Sequence, residues 1–248
     1  MAEDKSKLFL WDSNAIYIGP LSDNSQHKHL ATQICFSLDA PFQILVEDNW
    51  RETKFAAIPA NIPHQLNGGQ NRIVIILIDG ESVLGRAVSN LGVMVKSNLQ
   101  SNIVNLPDSI ESAKTYLNKL AAGLIKPHAA PLSTPDFDKR ISCAIDHISQ
   151  NLDRQISGAE LADLVNISQS RFLHLFSQNA GLPLRRYILW RRIILSIAQI
   201  SQGADLTSAA HMGGFSDSAH FSRVFRETFG LAPATIFKNS QNIQVFTQ

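Results

Sequence analysis

Cysteine is scarce in this chain: Cys35 and Cys143 are its two cysteines in 248 residues, and they form no Cys-x-x-Cys spacing. A disulfide framework and a cysteine-based zinc site are thereby excluded, and both thiols are expected to be reduced. An excess of charge of either sign is missing as well, since 22 Lys+Arg face 21 Asp+Glu for a net +1. Bulk charge therefore does not advertise a polyanion as partner. Long apolar runs are also absent. The run around residues 74–78 is too short to span a bilayer, and the N-terminus MAEDKSK has no apolar core behind it. The expectation is a cytoplasmic protein with no membrane partner.

What is present is enough apolar residue, 44%, for two ordinary cores, together with one repeated pattern. Residues 210–233 spell a turn and an amphipathic helix. Gly214 can leave one helix through positive φ, and Ser216 or Asp217 can cap the next, whose Phe221, Phe225 and Phe229 repeat every four residues. The opposite face carries Ser218, His220, Ser222, Arg223 and Arg226, which suit base edges and phosphates, and Gly230 stops the helix. Residues 162–183 repeat the pattern. Ala162, Asn166 and Ser168 match Ala210, Gly214 and Ser216 at an offset of 48, whereas Phe172, Phe176 and Gly181 match Phe221, Phe225 and Gly230 at 49. The slip falls between the cap and the first phenylalanine of the helix.

Residues 1–80 read as short strands at barrel-like spacing: Leu8 and Leu10, Ile16 and Ile18, Thr32 to Leu38 in alternation, 42–46, 54–58 and 72–78, with Pro, Asn and Gly between them. Residues 81–125 read as a helical extension. A capping box at Asp108–Glu111 precedes a stripe of Ile110, Ala113, Leu117, Leu120 and Leu124, which either packs on the strands or forms a dimer contact. Three prolines make 126–135 a linker. Residues 136–248 then read as all-α. A helix starts near Asp136, a capping box at Ser157 and Glu160 opens the upstream motif, and Pro183 opens a spacer helix running to about Ile200, roughly 25 Å long. Since major-groove faces recur about every 34 Å, helices held at its two ends could enter successive major grooves.

These residues resemble the AraC/XylS family of bacterial transcription regulators, over about 136–237. GFSDSAHFSRVFRETFGLAP is similar to that family's second helix-turn-helix motif, and SQSRFLHLF with Gly181 and Tyr187 to its first. The resemblance implies a sequence-specific regulator that binds double-stranded DNA through Ser170, Arg171 and His174 in the first motif and Ser218, His220, Ser222 and Arg223 in the second. Leu173 and Ala219 depart from the polar residues usual at their places, and His174 stands where arginine is frequent. The five motif phenylalanines are expected in the core. Arg192 is expected to tie the spacer helix to Asp163 or Glu160, whereas Arg185, Arg186 and Arg191 are either solvated or on phosphate.

The strand region resembles the cupin-like sensor domain attached to many of these regulators. His27, His29, Gln33 and His64 fall at the cupin spacing of two histidines, a carboxylate and a third histidine, with glutamine in the carboxylate's place. They are ligand-binding candidates. No cofactor is required on this reading, although three imidazoles admit a divalent metal. No nucleophile, paired carboxylate or glycine-rich phosphate loop accompanies the histidines, so the chain is expected not to be an enzyme. The alternative is a cupin metal enzyme with an appended DNA-binding domain. The expected fold is thus α+β in two domains: a cupin-like β-barrel with following helices, and an all-α domain with two helix-turn-helix motifs joined by a long helix. A small-molecule effector, RNA polymerase and a second copy of the chain are the further expected partners.

Overall fold

The computed structural model describes residues 6–12, 14–20, 25–69, 71–80, 82–96, 105–124, 138–229, 232–237 and 243–247. The linker at 126–135 and the helix stop at Gly230 lie outside them. The chain divides into two compact units, one of Met1–Gly80, Leu84–Ala129 and Ser222–Gln248, the other of Glu81–Val83 and Ala130–Phe221.

The first unit contains β1 (Ser6–Trp11), β2 (Asn14–Pro20), β3 (Ala31–Ser37), β4 (Phe42–Val46), β5 (Asn49–Thr53), β6 (Phe55–Ile58), β7 (His64–Asn67), β8 (Arg72–Asp79), α1 (Val83–Ser89), β9 (Met94–Lys96), α2 (Ile110–Leu124) and, from the far end of the chain, β10 (Ile243–Thr247). One sheet has the order β10-β1-β2-β8-β3-β6-β9 and the other β5-β4-β7. Side chains alternate across a strand, and here both faces of the large sheet are covered. Ile34 and Phe36 of β3 and Val74, Ile76 and Ile78 of β8 meet Ala113, Leu117 and Leu120 of α2 on one face. On the other, Cys35 and Ile73 meet Phe42, Ile44, Val46 and Leu66 of the small sheet. Burial pushes the Cys35 thiol up to about 12, which makes it an inert core group.

Two features correct the expectations, and a third answers one of their alternatives. The α2 stripe packs on the strands at its centre, where Ala113 and Leu117 are 0% and 3% exposed within a single chain, while Ile110 and Leu124 at its ends stay partly exposed. Its start is capped by Ser109, whose hydroxyl accepts the Ser112 amide at 3.2 Å while Ser112 Oγ accepts the Ser109 amide at 3.0 Å, so the reciprocal pair is Ser109 and Ser112, not Asp108 and Glu111. Strands also continue past residue 80. β9 pairs antiparallel with β6, and β10 pairs parallel with β1 in the register Ser6↔Ile243 to Leu10↔Thr247, although the sequence from 136 onward reads as helical.

The second unit is helical: α3 (Lys139–Gln150), α4 (Gly158–Leu164), α5 (Gln169–Ala180), α6 (Leu184–Ser201), α7 (Leu206–Met212) and the start of α8 (Ser218–Phe229), whose residues from Ser222 on are counted with the first unit, as is α9 (Pro233–Phe237). The spacer α6 is its axis. Tyr187, Trp190, Ile193, Ile194, Ile197 and Ile200 are buried, and 18 residues give a length of about 27 Å. Arg186 on this helix is buried at 9% exposure, which makes it neither solvated surface nor a phosphate contact. Arg192 is structural, as expected, yet its partners are carbonyls: Nε donates to Leu152 O at 3.1 Å and a terminal nitrogen to Arg154 O at 2.7 Å.

Candidate nucleic-acid interface and three-histidine site

Both turn motifs are built by the same local rules. In the first, Ser157 caps α4 by accepting the Glu160 amide, Asn166 takes φ 55°, and the Ile167 amide donates back to Ala162 O at 3.1 Å. Ser168 then caps α5 by accepting the Arg171 amide. In the second, Asp205 caps α7, Gly214 takes φ 75°, and the Phe215 amide donates to Ala210 O at 3.0 Å. The cap of α8 is Asp217, whose carboxylate accepts the His220 amide at 2.6 Å. The extra residue of the second copy therefore sits in the turn, just ahead of the working cap. Ser216, freed from capping, donates to Asp217 Oδ2 and accepts from His220 Nδ1, both at 3.1 Å.

The caps fix which faces remain outside. Phe172 and Phe176 of α5 and Phe221 and Phe225 of α8 are 0–1% exposed, as their four-residue spacing requires. On α5, Ser170, Arg171 and His174 are exposed together with Gln169, which the sequence reading passed over, and with Leu173. On α8, Arg223 is fully outward, whereas Ser218, His220 and Ser222 are half-buried. His220 lies edge-on to Phe215 at 5.4 Å, and with Nδ1 committed to Ser216 it offers its other nitrogen outward. The two faces thus present donors, acceptors and cations, Arg171 on α5 and Arg223 with Arg226 on α8, the inventory that major-groove edges and phosphates require.

A family model described as a helix-turn-helix domain matches residues 161–239, which takes in α5, α6, α7 and α8. Among curated relatives, the probable transcriptional regulator LumQ of Photobacterium leiognathi is 24% identical over 84% of this chain and 89% of its own length. The arabinose operon regulatory protein of Escherichia coli K12 is 34% identical over 40% of this chain and 35% of that protein. The chain thus carries a helix-turn-helix domain and is similar along most of its length to a probable transcriptional regulator. It is a transcription regulator with a DNA-binding helix-turn-helix domain at residues 161–239. The fold extends to the strand region: ToxT from Vibrio cholerae O395 superposes with TM-score 0.51 over 91% of this chain and 97% of that one, at 15% identity. Among the described residues, no helix is long and apolar enough to cross a membrane.

The structure also brings together His27, His29 and His64 in the first unit, with one ring nitrogen from each within 4.8 Å of the others. Backbone pairing places them. His27 and His64 exchange two N–H···O bonds of 2.9 Å, and the Asn61 amide donates to His29 O at 2.8 Å. Each ring then turns Nδ1 onto a carbonyl: His27 to Ser25 at 2.8 Å, His29 to Ala31 at 2.9 Å, His64 to Ile62 at 2.8 Å. A carbonyl only accepts, so in each neutral ring Nδ1 carries the hydrogen and Nε2 the lone pair. Burial pushes His29 down to about 4, and burial with the neighbouring imidazoles pushes His64 down to about 3, so both are neutral near pH 7.

Gln33 on β3 completes the group, with Oε1 placed 3.1 Å from His29 Nε2. That contact sets two acceptors against each other, a conflict relieved by turning the amide or by a cation between them. Turning the amide does nothing for His64, whose buried Nε2 has no hydrogen-bond partner. Four residues expected to share a site are therefore together, and their donor set fits a borderline divalent ion: three imidazoles of fixed tautomer, each braced by a carbonyl, and one amide oxygen.

Proposed function

We propose that this regulator reads duplex DNA with the outward faces of α5 and α8 set into successive major grooves, and that an effector held by His27, His29, Gln33 and His64 governs that binding. The carrying observation is the pair of capped helices whose phenylalanines are buried and whose Ser170, Arg171, His174 and Arg223 are exposed. The spacer between them is about 27 Å long, against about 34 Å for one turn of B-DNA. On this reading the protein acts in the cytoplasm, catalyses no reaction, and meets RNA polymerase and a second copy of itself on the promoter. The effector site holds three imidazoles, of which His29 and His64 are neutral near pH 7, and an amide, with no carboxylate among its four residues, so it suits binding better than proton transfer. A divalent metal is admitted there without being required. ToxT of Vibrio cholerae has been solved with an unsaturated fatty acid bound, which supports an effector site on this fold without naming the effector here.

The test is selection of duplexes from a random pool by the full chain, followed by titration of the enriched sequence. Binding is expected to fall steeply with salt, because arginines displace condensed counterions. His174→Ala and Arg223→Ala are each expected to weaken the selected duplex by about 1–3 kcal/mol if they touch base edges. An equal loss on random duplex makes them phosphate ligands. Failure to enrich any sequence at low salt removes the proposal.

A further inference from the structure

The one-residue slip between the two turn motifs changes what the turn serine does. In the first copy Ser168 caps α5 itself, its hydroxyl accepting the Arg171 amide at 3.4 Å. In the second, Asp217 takes over the cap by accepting the His220 amide through Oδ1, and Ser216 is left to face the His220 ring. Hydrogens can be placed on these three side chains in one consistent way. The bond from the His220 amide, then that from the Ser216 hydroxyl, hold the Asp217 carboxyl below the usual carboxylate range, so it is ionised and only accepts. Ser216 Oγ stands 3.1 Å from Asp217 Oδ2 and donates its single hydrogen there. The same Oγ, 3.1 Å from His220 Nδ1, is left to accept, so Nδ1 carries a hydrogen. In the neutral ring Nε2 is then a bare lone pair. Phe215 holds that ring from another side, edge-on at 5.4 Å.

We propose that Ser216 and Asp217 make His220 a hydrogen-bond acceptor toward DNA, so that α8 selects adenine or cytosine at the base His220 meets. This rests on the reading of duplex DNA by α8, and it adds a base class and two positioning residues. Adenine N6 and cytosine N4 donate into the major groove, whereas guanine O6 and N7 and thymine O4 accept there and set a lone pair against that of Nε2. The first copy asks for the opposite chemistry. Arg171 stands 49 residues before His220, at the equivalent place in α5, and a guanidinium only donates, which suits guanine. The two motifs share one pattern of turns and phenylalanines, yet the half-sites they fit differ at this position.

Two measurements on the full chain test the proposal. The first needs no DNA. Long-range nitrogen–proton NMR correlations, recorded where histidine is neutral and with the ring identified by its loss in His220→Asn, report which ring nitrogen is protonated. Nδ1–H is expected in the parent, and Ser216→Ala is expected to shift the ring toward Nε2–H while Asp217 still caps α8. Nε2–H in the parent, or a ring indifferent to Ser216→Ala, overturns the positioning. The second measurement uses the duplex selected by the parent, at the position whose base preference is lost in His220→Ala. Purine in place of adenine there, or pyrimidin-2-one in place of cytosine, deletes the exocyclic amine. The parent is expected to lose about three- to tenfold in affinity, the worth of one hydrogen bond, and His220→Ala to lose nothing further. Ser216→Ala is expected to discriminate against guanine there less than the parent does. A preference for guanine or thymine, an equal loss in parent and His220→Ala, or no position that depends on His220 overturns the base assignment while DNA reading stands. A selection that enriches nothing removes DNA reading and the base assignment together, and the NMR result then decides the positioning by itself.

Discussion

At single positions, the second turn tolerates less than the first. Asn166 and Gly214 hold equivalent places at φ 55° and 75°, yet a Cβ on Gly214 would stand 2.1 Å from Leu152 O and 3.1 Å from Arg192 Nε. Left-handed backbone costs a non-glycine residue about 1–2 kcal/mol, and the clash with a backbone carbonyl adds to it. Gly214→Ala is therefore expected to destabilise by at least about 2 kcal/mol in urea titration, and Asn166→Gly to stay within about 0.5 kcal/mol. A Gly214→Ala midpoint equal to the parent's would show that the turn can open and the close approach is not needed. Positions of this kind are legible in sequence because a glycine between two amphipathic segments has few other uses. Exposure of Ser170, Arg171, His174 and Arg223 was legible for the same reason, since the buried phenylalanines fix the opposite face. Arg186 was not: α6 is buried around much of its circumference, so no apolar stripe tells which arginine turns inward.

Among elements, two of the strands that escaped reading, β5 and β7, carry little hydrophobic signal. β5, NWRET, is exposed at four of its five positions. Its hairpin turn, Glu47-Asp48, holds φ 53° and 60° without the Asn-Gly or Asp-Gly that usually announces such a turn. β7 is four residues long with Leu66 its one aliphatic residue, so no strand is expected at His64 although His64 begins one. Capping, by contrast, was well marked in α4. The Glu160 carboxylate accepts from Arg154 at 3.0 Å and from His147 at 2.8 Å, and it also meets the Ser157 amide. Arg154 first, then His147, hold it down to about 2, against 4.5 when free. A depressed carboxylate stabilises the fold above its free value, and that contribution is lost as pH falls from about 4.5 through about 2. Glu160→Gln is thus expected to be less stable than the parent at pH 7 and to lose less on acidification over that window. Parallel slopes of urea midpoint against pH for the two proteins would mean that the ion pair adds nothing to folding.

Across the whole molecule, the sequence divides at a proline-rich linker, yet the chain's last strand returns to the first sheet. Nothing in IQVFT singles out its partner: a parallel pairing with a strand more than two hundred residues away leaves no local trace, because either end of any open sheet could take it. The pairing has a physical motive in β1, which without β10 would be an edge of unpaired N–H and C=O groups. Phe246 adds side-chain contact, stacked on Phe9 with ring centroids 4.6 Å apart and interplanar angle 10°, and packed against the core that α2 covers. Phe246 is only half-buried, so Phe246→Ala is expected to cost less than the 3–5 kcal/mol typical of a full core position, about 1–3 kcal/mol. Truncation after Phe237 removes the ladder as well. It is expected to lower the urea midpoint further and, by exposing the β1 edge, to make light scattering depend on protein concentration where the Phe246→Ala protein does not. If the truncated chain kept the parent's midpoint and stayed dispersed at tens of micromolar, β10 would be an ornament on β1, and the sheet's true edge would be protected by its own twist and charge.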